Sequence, residues 1–299
     1  MFGMSLAERR ESLLARQRMF EGLERRRPRR RAQVKPMRQP NAARAEYARS
    51  LNVLLRELEE QVRAELGDLE DLVRRNQLER NDAAELELRT DDVWDEVGDK
   101  LRRLRDAAAR IFNDGRIRTL AFRVGQAVAM HNKREVMKQL ARAITVDVFG
   151  AEPTLRRQLG VFVQDNVRLI KSIPEKLLTE VEGSVLGGIR RGARAADIAT
   201  DLRDRFGVSR SRATLIARDQ VGKINGELTQ LRHQEAGIDE YIWRTSRDER
   251  VRVEHKARDG QHFKWSKPPE GGHPGEPVQC RCTAEPVLDQ FLAPEDRPS

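Results

Sequence analysis

The chain is poor in the residues that staple or span. Two cysteines occur in 299 residues, Cys280 and Cys282. One intervening residue leaves them too close for an easy mutual disulfide, and two thiols make no extracellular disulfide framework, so a reducing cytoplasm is expected. No run of eighteen apolar residues exists, which excludes a membrane-spanning helix and predicts no membrane partner. The first residues carry charge before any apolar stretch, so no secretory signal is expected. Aromatic residues are 5% of the chain, a scarcity that long helices tolerate better than sheets do.

Charge is abundant: 35% of residues are charged against 38% hydrophobic. Residues 1–44 hold 13 Lys and Arg against 4 acids, and the remaining residues hold 44 of each sign. The net charge of +9 therefore sits on one N-terminal segment. It peaks at Arg25, Arg26, Arg27, Arg29, Arg30 and Arg31, broken only by Pro28. Such an arm can bind DNA phosphates without sequence preference, dock on acidic protein, or serve as a solvated linker. Residues 57–99 have the opposite balance, 16 acids against 5 basic residues.

Periodicity predicts a mainly α chain. Residues 5–27 read as a charged helix and residues 33–41, with two prolines, as a linker. From Asn41, Tyr47, Leu51, Leu54, Leu55, Leu58, Val62, Leu66, Leu69 and Val73 make one apolar stripe on a long helix. Residues 79–89 read as a polar connection, Thr90 as the N-cap of a helix to about Phe112, and 116–143 as another helix. Two shorter helices are expected between Thr154 and Gly192, with Pro174 in the first turn of the second. A short helix should end at Gly207, and a longer one, capped by Ser209, should run to Gly237. Then the texture changes. Residues 240–245 are strand-like, Asp248 can cap a short helix closed by Gly260, and 262–265 read as a second short strand.

His233, His255, His262, His273 and both cysteines crowd the last 70 residues. In a small module short of apolar mass, clustered His and Cys suggest a zinc staple. The expected ligands are His255, His273, Cys280 and Cys282. Alternatively the cysteines pack as small hydrophobes on one strand face and the histidines bridge loops. A third reading makes His255 and Asp259 acid–base partners of a metal-dependent nucleic-acid-processing enzyme. Asp248, Arg250, Arg252 and Asp259 read as a structural network of guanidinium forks on carboxylates and carbonyls.

The order of these elements resembles the phage Mu F-like minor head proteins, the phage head morphogenesis family. The resemblance is carried by Trp243, Thr245, Asp248, Arg250, Val251, Arg252, His255, Asp259, Gly260, Phe263, Pro274, Gly275, Cys280, Arg281 and Cys282. Upstream, Asn166, Val167, Leu169 to Pro174, Ser211 to Ala213 and Ile216 to Arg218 are similar to the same family. The likeness covers roughly residues 160–288. Where the family continues with Thr-Glu this chain has Asp219-Gln220, so no role for that glutamate carries over.

The resemblance implies a minor capsid protein of a tailed phage or prophage, associated with the portal and procapsid. Its partners would be portal, major capsid or scaffold protein, with DNA through the arm. It would serve in head assembly, DNA packaging or delivery. It would reside in the virion head and, during assembly, in the host cytoplasm. No catalytic residue set and no enzyme activity follow from it. The competing classes are the metal-dependent enzyme and a DNA-binding protein acting through its arm. The expected architecture is a basic arm and linker (1–40), a helical region (41–206), a small α+β module (207–288) and a loose tail (289–299).

Overall fold

A computed structural model describes residues 34–81, 86–141 and 154–289, with Glu11 and Leu14; side chains are described outside 78–92. The arginine run 25–31 and the helix expected at 5–27 lie outside the described residues. The chain is mainly α, with a small three-stranded sheet near its C-terminus. Two compact units form. One comprises residues 34–44, 122–141, 154–162 and 218–289, the other residues 45–81, 86–121 and 163–217.

The second unit is helical. Helix α1 (Asn41–Glu65) buries Tyr47, Leu51, Leu54, Leu55, Leu58 and Val62, the stripe read from spacing. That stripe continues through Leu66, Leu69 and Val73, but the helix does not. A turn at 66–68 separates α1 from α2 (Leu69–Asn81). Gly67 is a poor helix residue, and Glu70 and Asp71 favour a fresh N-terminus there. Helix α3 (Leu86–Ile111) starts upstream of Thr90, so Thr90 lies inside the helix and not at its cap. It buries Val93, Val97, Leu101 and Leu104. Helix α4 (Asp114–Leu140) is capped by Asn113, whose Oδ1 accepts the Arg116 N–H at 2.9 Å.

Two expected breaks are absent. Helix α5 (Leu155–Arg191) runs unbroken through Pro174, and α6 (Ala195–Glu235) runs through Gly207 and Ser209. Proline inside a helix costs about 3 kcal/mol and glycine about 1 kcal/mol. Each buried aliphatic side chain returns about 1.5–3 kcal/mol. Ile170, Ile173, Leu177, Val181, Val185 and Ile189 form one buried row across the proline. Ile198, Leu202, Phe206, Ala213, Ala217 and Val221 form another across Gly207. Burial outweighs local propensity at both places. The expected stops do hold at Gly192 (φ 71°) and Gly237 (φ 73°). Each closes a helix by paired bonds: Ala193 N–H to Gly188 O and Gly192 N–H to Ile189 O, then Ile238 N–H to His233 O and Gly237 N–H to Gln234 O.

The other unit carries the sheet, ordered β2-β1-β3 and antiparallel throughout: β1 (Glu240–Arg244), β2 (His262–Lys264) and β3 (Thr283–Pro286). In register, Tyr241 faces Phe263 and Pro286, and Trp243 faces Ala284. The central strand turns Tyr241 and Trp243 inward, onto Trp265, Cys280, Cys282 and Ala284. Residues 34–40 form no regular element but are held along this unit. Met37 is buried, Arg38 N–H donates to Glu135 Oε2 (3.0 Å), and Gln39 Nε2 donates to Arg281 O (3.0 Å).

Candidate metal centre

Turns at Arg247 and Gly260 help bring the His/Cys group together. After β1 the chain turns at Arg247 (φ 55°) and enters the short helix α7 (Val253–Arg258). Its expected cap, Asp248, lies four residues upstream of the observed N-cap, Arg252. Asp248 instead accepts the Arg250 N–H at 3.0 Å and holds the Arg281 guanidinium at 2.6 Å. Helix α7 points His255 inward and leaves Val253 exposed. Asp259 ends it and accepts the Thr245 N–H at 2.8 Å. Gly260 (φ 84°) then turns the chain into β2, its N–H bonded to Trp243 O.

The loop segment 274–280 that leads into the cysteines is seated on α6. A Cβ on Gly226 would lie 2.6 Å from Pro274 O, and one on Gly222 would lie 3.4 Å from Cys280 O. Asp219 Oδ1 accepts the Gln279 N–H at 2.8 Å, fixing the backbone one residue before Cys280. Arg252 donates to Val278 O at 2.7 Å. Asp219 marks the departure from the Thr-Glu pattern, and its bond to Gln279 joins positions 60 residues apart that no sequence spacing connects.

The result is a compact triad of donors. His255 Nδ1 lies 3.5 Å from Cys282 Sγ and 3.9 Å from Cys280 Sγ, and the three donor atoms lie within 4.8 Å of one another. All three residues are buried. In a tetrahedral zinc site, sulfur and nitrogen donors stand roughly 3.5 Å apart and two sulfurs roughly 3.8 Å apart. The donor set and its spacing fit that metal.

Electrostatics point the same way. Burial, with Arg252 and Arg258 adding to it, holds His255 below its ordinary pKa and so keeps the imidazole neutral. A hydrogen bond from Cys282 draws the Cys280 thiol down to about 6, while the same bond pushes Cys282 up. The His255 ring packs edge-on against Trp243, centroids 5.2 Å apart. Arg244 grips Glu285 across the sheet with two bonds, at 2.7 and 3.1 Å.

His273 stands apart from this group. Its Nδ1 meets Tyr241 Oη at 2.8 Å, and its ring packs against Trp265 at 4.9 Å. Of the four ligands expected from sequence, the structure gathers His255, Cys280 and Cys282. Asp248 with Arg281, and Asp259 with Thr245, brace the loops on either side of α7, and the Arg250 side chain is exposed. Strand β3, four residues long and ending in proline, has no alternating pattern to read.

Residues 179–285 match the family described as Phage Mu protein F like protein. An uncharacterised protein of Haemophilus influenzae is 38% identical over 162 residues, which cover 53% of this chain and 36% of that protein. The chain thus spans little more than a third of that relative's length. No solved structure matches the chain. The matched residues hold the last turns of α5, all of α6, β1, β2, most of β3 and the His/Cys group; over residues 179–285 this chain is similar to the phage Mu F-like proteins.

Proposed function

We propose that the protein is a minor capsid, or head-morphogenesis, protein of a tailed phage or prophage. One observation carries the reading: the stretch matched to the family contains His255, Cys280 and Cys282 together with the turns that bring them side by side. In this account the portal protein, with major capsid or scaffold protein, is the partner. The protein acts in head assembly, DNA packaging or delivery, residing in the virion head after assembly in the host cytoplasm. The division into arm (1–40), helical region (41–206), module (207–288) and tail (289–299) is proposed as a division of labour. Helices with solvated charged faces meet the partner, and the arm with Arg25, Arg26, Arg27, Arg29, Arg30 and Arg31 contacts DNA.

The module's task in this account is structural and not catalytic. Trp243, Asp248, Asp259, Gly260 and Arg281 brace the loops, Arg250 adds its backbone N–H to Asp248, and one zinc held by His255, Cys280 and Cys282 locks them. Deleting the coding sequence from the phage, with complementation in trans, tests the role. The expected result is loss of infectious particles, restored by wild-type protein and not by H255A. Undiminished particle yield and infectivity without the protein would reject it.

A further inference from the structure

We propose that His255, Cys280 and Cys282 form a three-donor zinc site whose fourth position is open, filled by exchangeable water in the free protein and available to a small anionic donor. The inference rests on the reading that this group holds zinc, and it changes the kind of site: a closed structural zinc has four protein ligands, an open one three.

The chain's own nitrogen and sulfur donors are exhausted. All five histidines and both cysteines of the chain are among the described residues. His131 Nε2 is bound to Arg38 O at 2.7 Å, and His262 is exposed on β2. His233 is sealed inside, edge-on to Trp265. His273 is engaged by Tyr241 Oη at Nδ1 and by a backbone bond with Trp265. No histidine or cysteine remains to close the tetrahedron. No carboxylate joins the group among the described residues. Asp259, which acts electrostatically on Cys282, is bonded to Thr245 N–H, Asp248 to Arg281 and Asp219 to Gln279 N–H.

Charge fixes what the position accepts. Two thiolates balance a zinc dication, so a neutral water completes the site without net charge. Arg252 and Arg44 act electrostatically on Cys280 and make the surroundings positive. A small anion is therefore favoured over a cation or a neutral amine.

The full chain is purified and its metal measured, then reconstituted with Co(II) and titrated with azide. About one zinc per chain is expected, falling at least about tenfold in H255A. The Co(II) protein should show thiolate charge-transfer bands and four-coordinate visible bands that shift saturably with azide. X-ray absorption on the zinc protein should show two sulfurs, one imidazole and one non-imidazole light donor. H273F should retain both metal and azide response. Absence of metal from wild-type protein would overturn the zinc reading itself. Bound metal with two imidazoles, or with bands indifferent to azide, would overturn the open position while leaving the zinc reading intact.

Discussion

Replacing Gly226 with alanine perturbs the seat of the loop that leads into the cysteines at one atom. The new Cβ would lie 2.6 Å from Pro274 O and 3.2 Å from Gly275 Cα, both backbone atoms. No side-chain rotation relieves that contact, so helix or loop must shift. Overpacking of this kind costs about 1–3 kcal/mol. Alanine in a helix interior returns about 1 kcal/mol relative to glycine. The net expectation for G226A is destabilisation by up to about 2 kcal/mol, and the displaced loop leads into Cys280. Gly207 supplies the control: it sits inside the same helix with nothing within 4 Å of an added Cβ. G207A should therefore stabilise by about 0.4–1 kcal/mol. Urea midpoints by circular dichroism, with metal content measured alongside, read both. G226A more stable than wild type, or G207A destabilised, would refute the packing of the 274–280 segment on α6 as described.

Other consequences are equally direct. Arg244 and Glu285 are joined by two bonds across β1 and β3, with side-chain exposures of 19% and 6%. A double-mutant cycle to alanine should give a coupling energy of about 1–3 kcal/mol, and a coupling near zero would remove this pair as a brace. Desolvation holds the fully buried His233 down to about 3, so the unfolded chain takes up a proton near 6.5 that the folded chain refuses. The stability this contributes is complete above about 6.5 and is lost as pH falls toward about 3, with a slope of about 1.4 kcal/mol per pH unit. H233F should flatten that stretch of the stability–pH curve, and an unchanged slope would contradict the assignment. If the arm binds duplex DNA through its six arginines, deleting 25–31 should reduce the log–log salt slope of binding by about 5. An unaltered slope would place the DNA contact elsewhere or nowhere.

What is legible in the sequence follows from where local and tertiary signals agree. The stripe from Tyr47 to Val62 and the stops at Gly192 and Gly237 are readable because period, burial and glycine conformation concur. Pro174 and Gly207 read as boundaries because local propensity opposes a helix there, and only the buried rows crossing them outweigh that preference. The break at Gly67 is hidden for the opposite reason, since the apolar period persists through the turn. In the site, His255, Cys280 and Cys282 stand out by residue type and clustering. His273 has the same chemistry but is claimed by Tyr241, a contact 32 residues away that spacing does not encode. The Asp219 bond to Gln279 and the pairing of β3 with β1 are likewise long-range facts.

The central claim, that this is a head protein, is tested most directly by quantitative mass spectrometry of purified procapsids and virions. The account predicts peptides of this chain in the particles at few copies relative to the major capsid protein. Its absence from both particles would contradict the account.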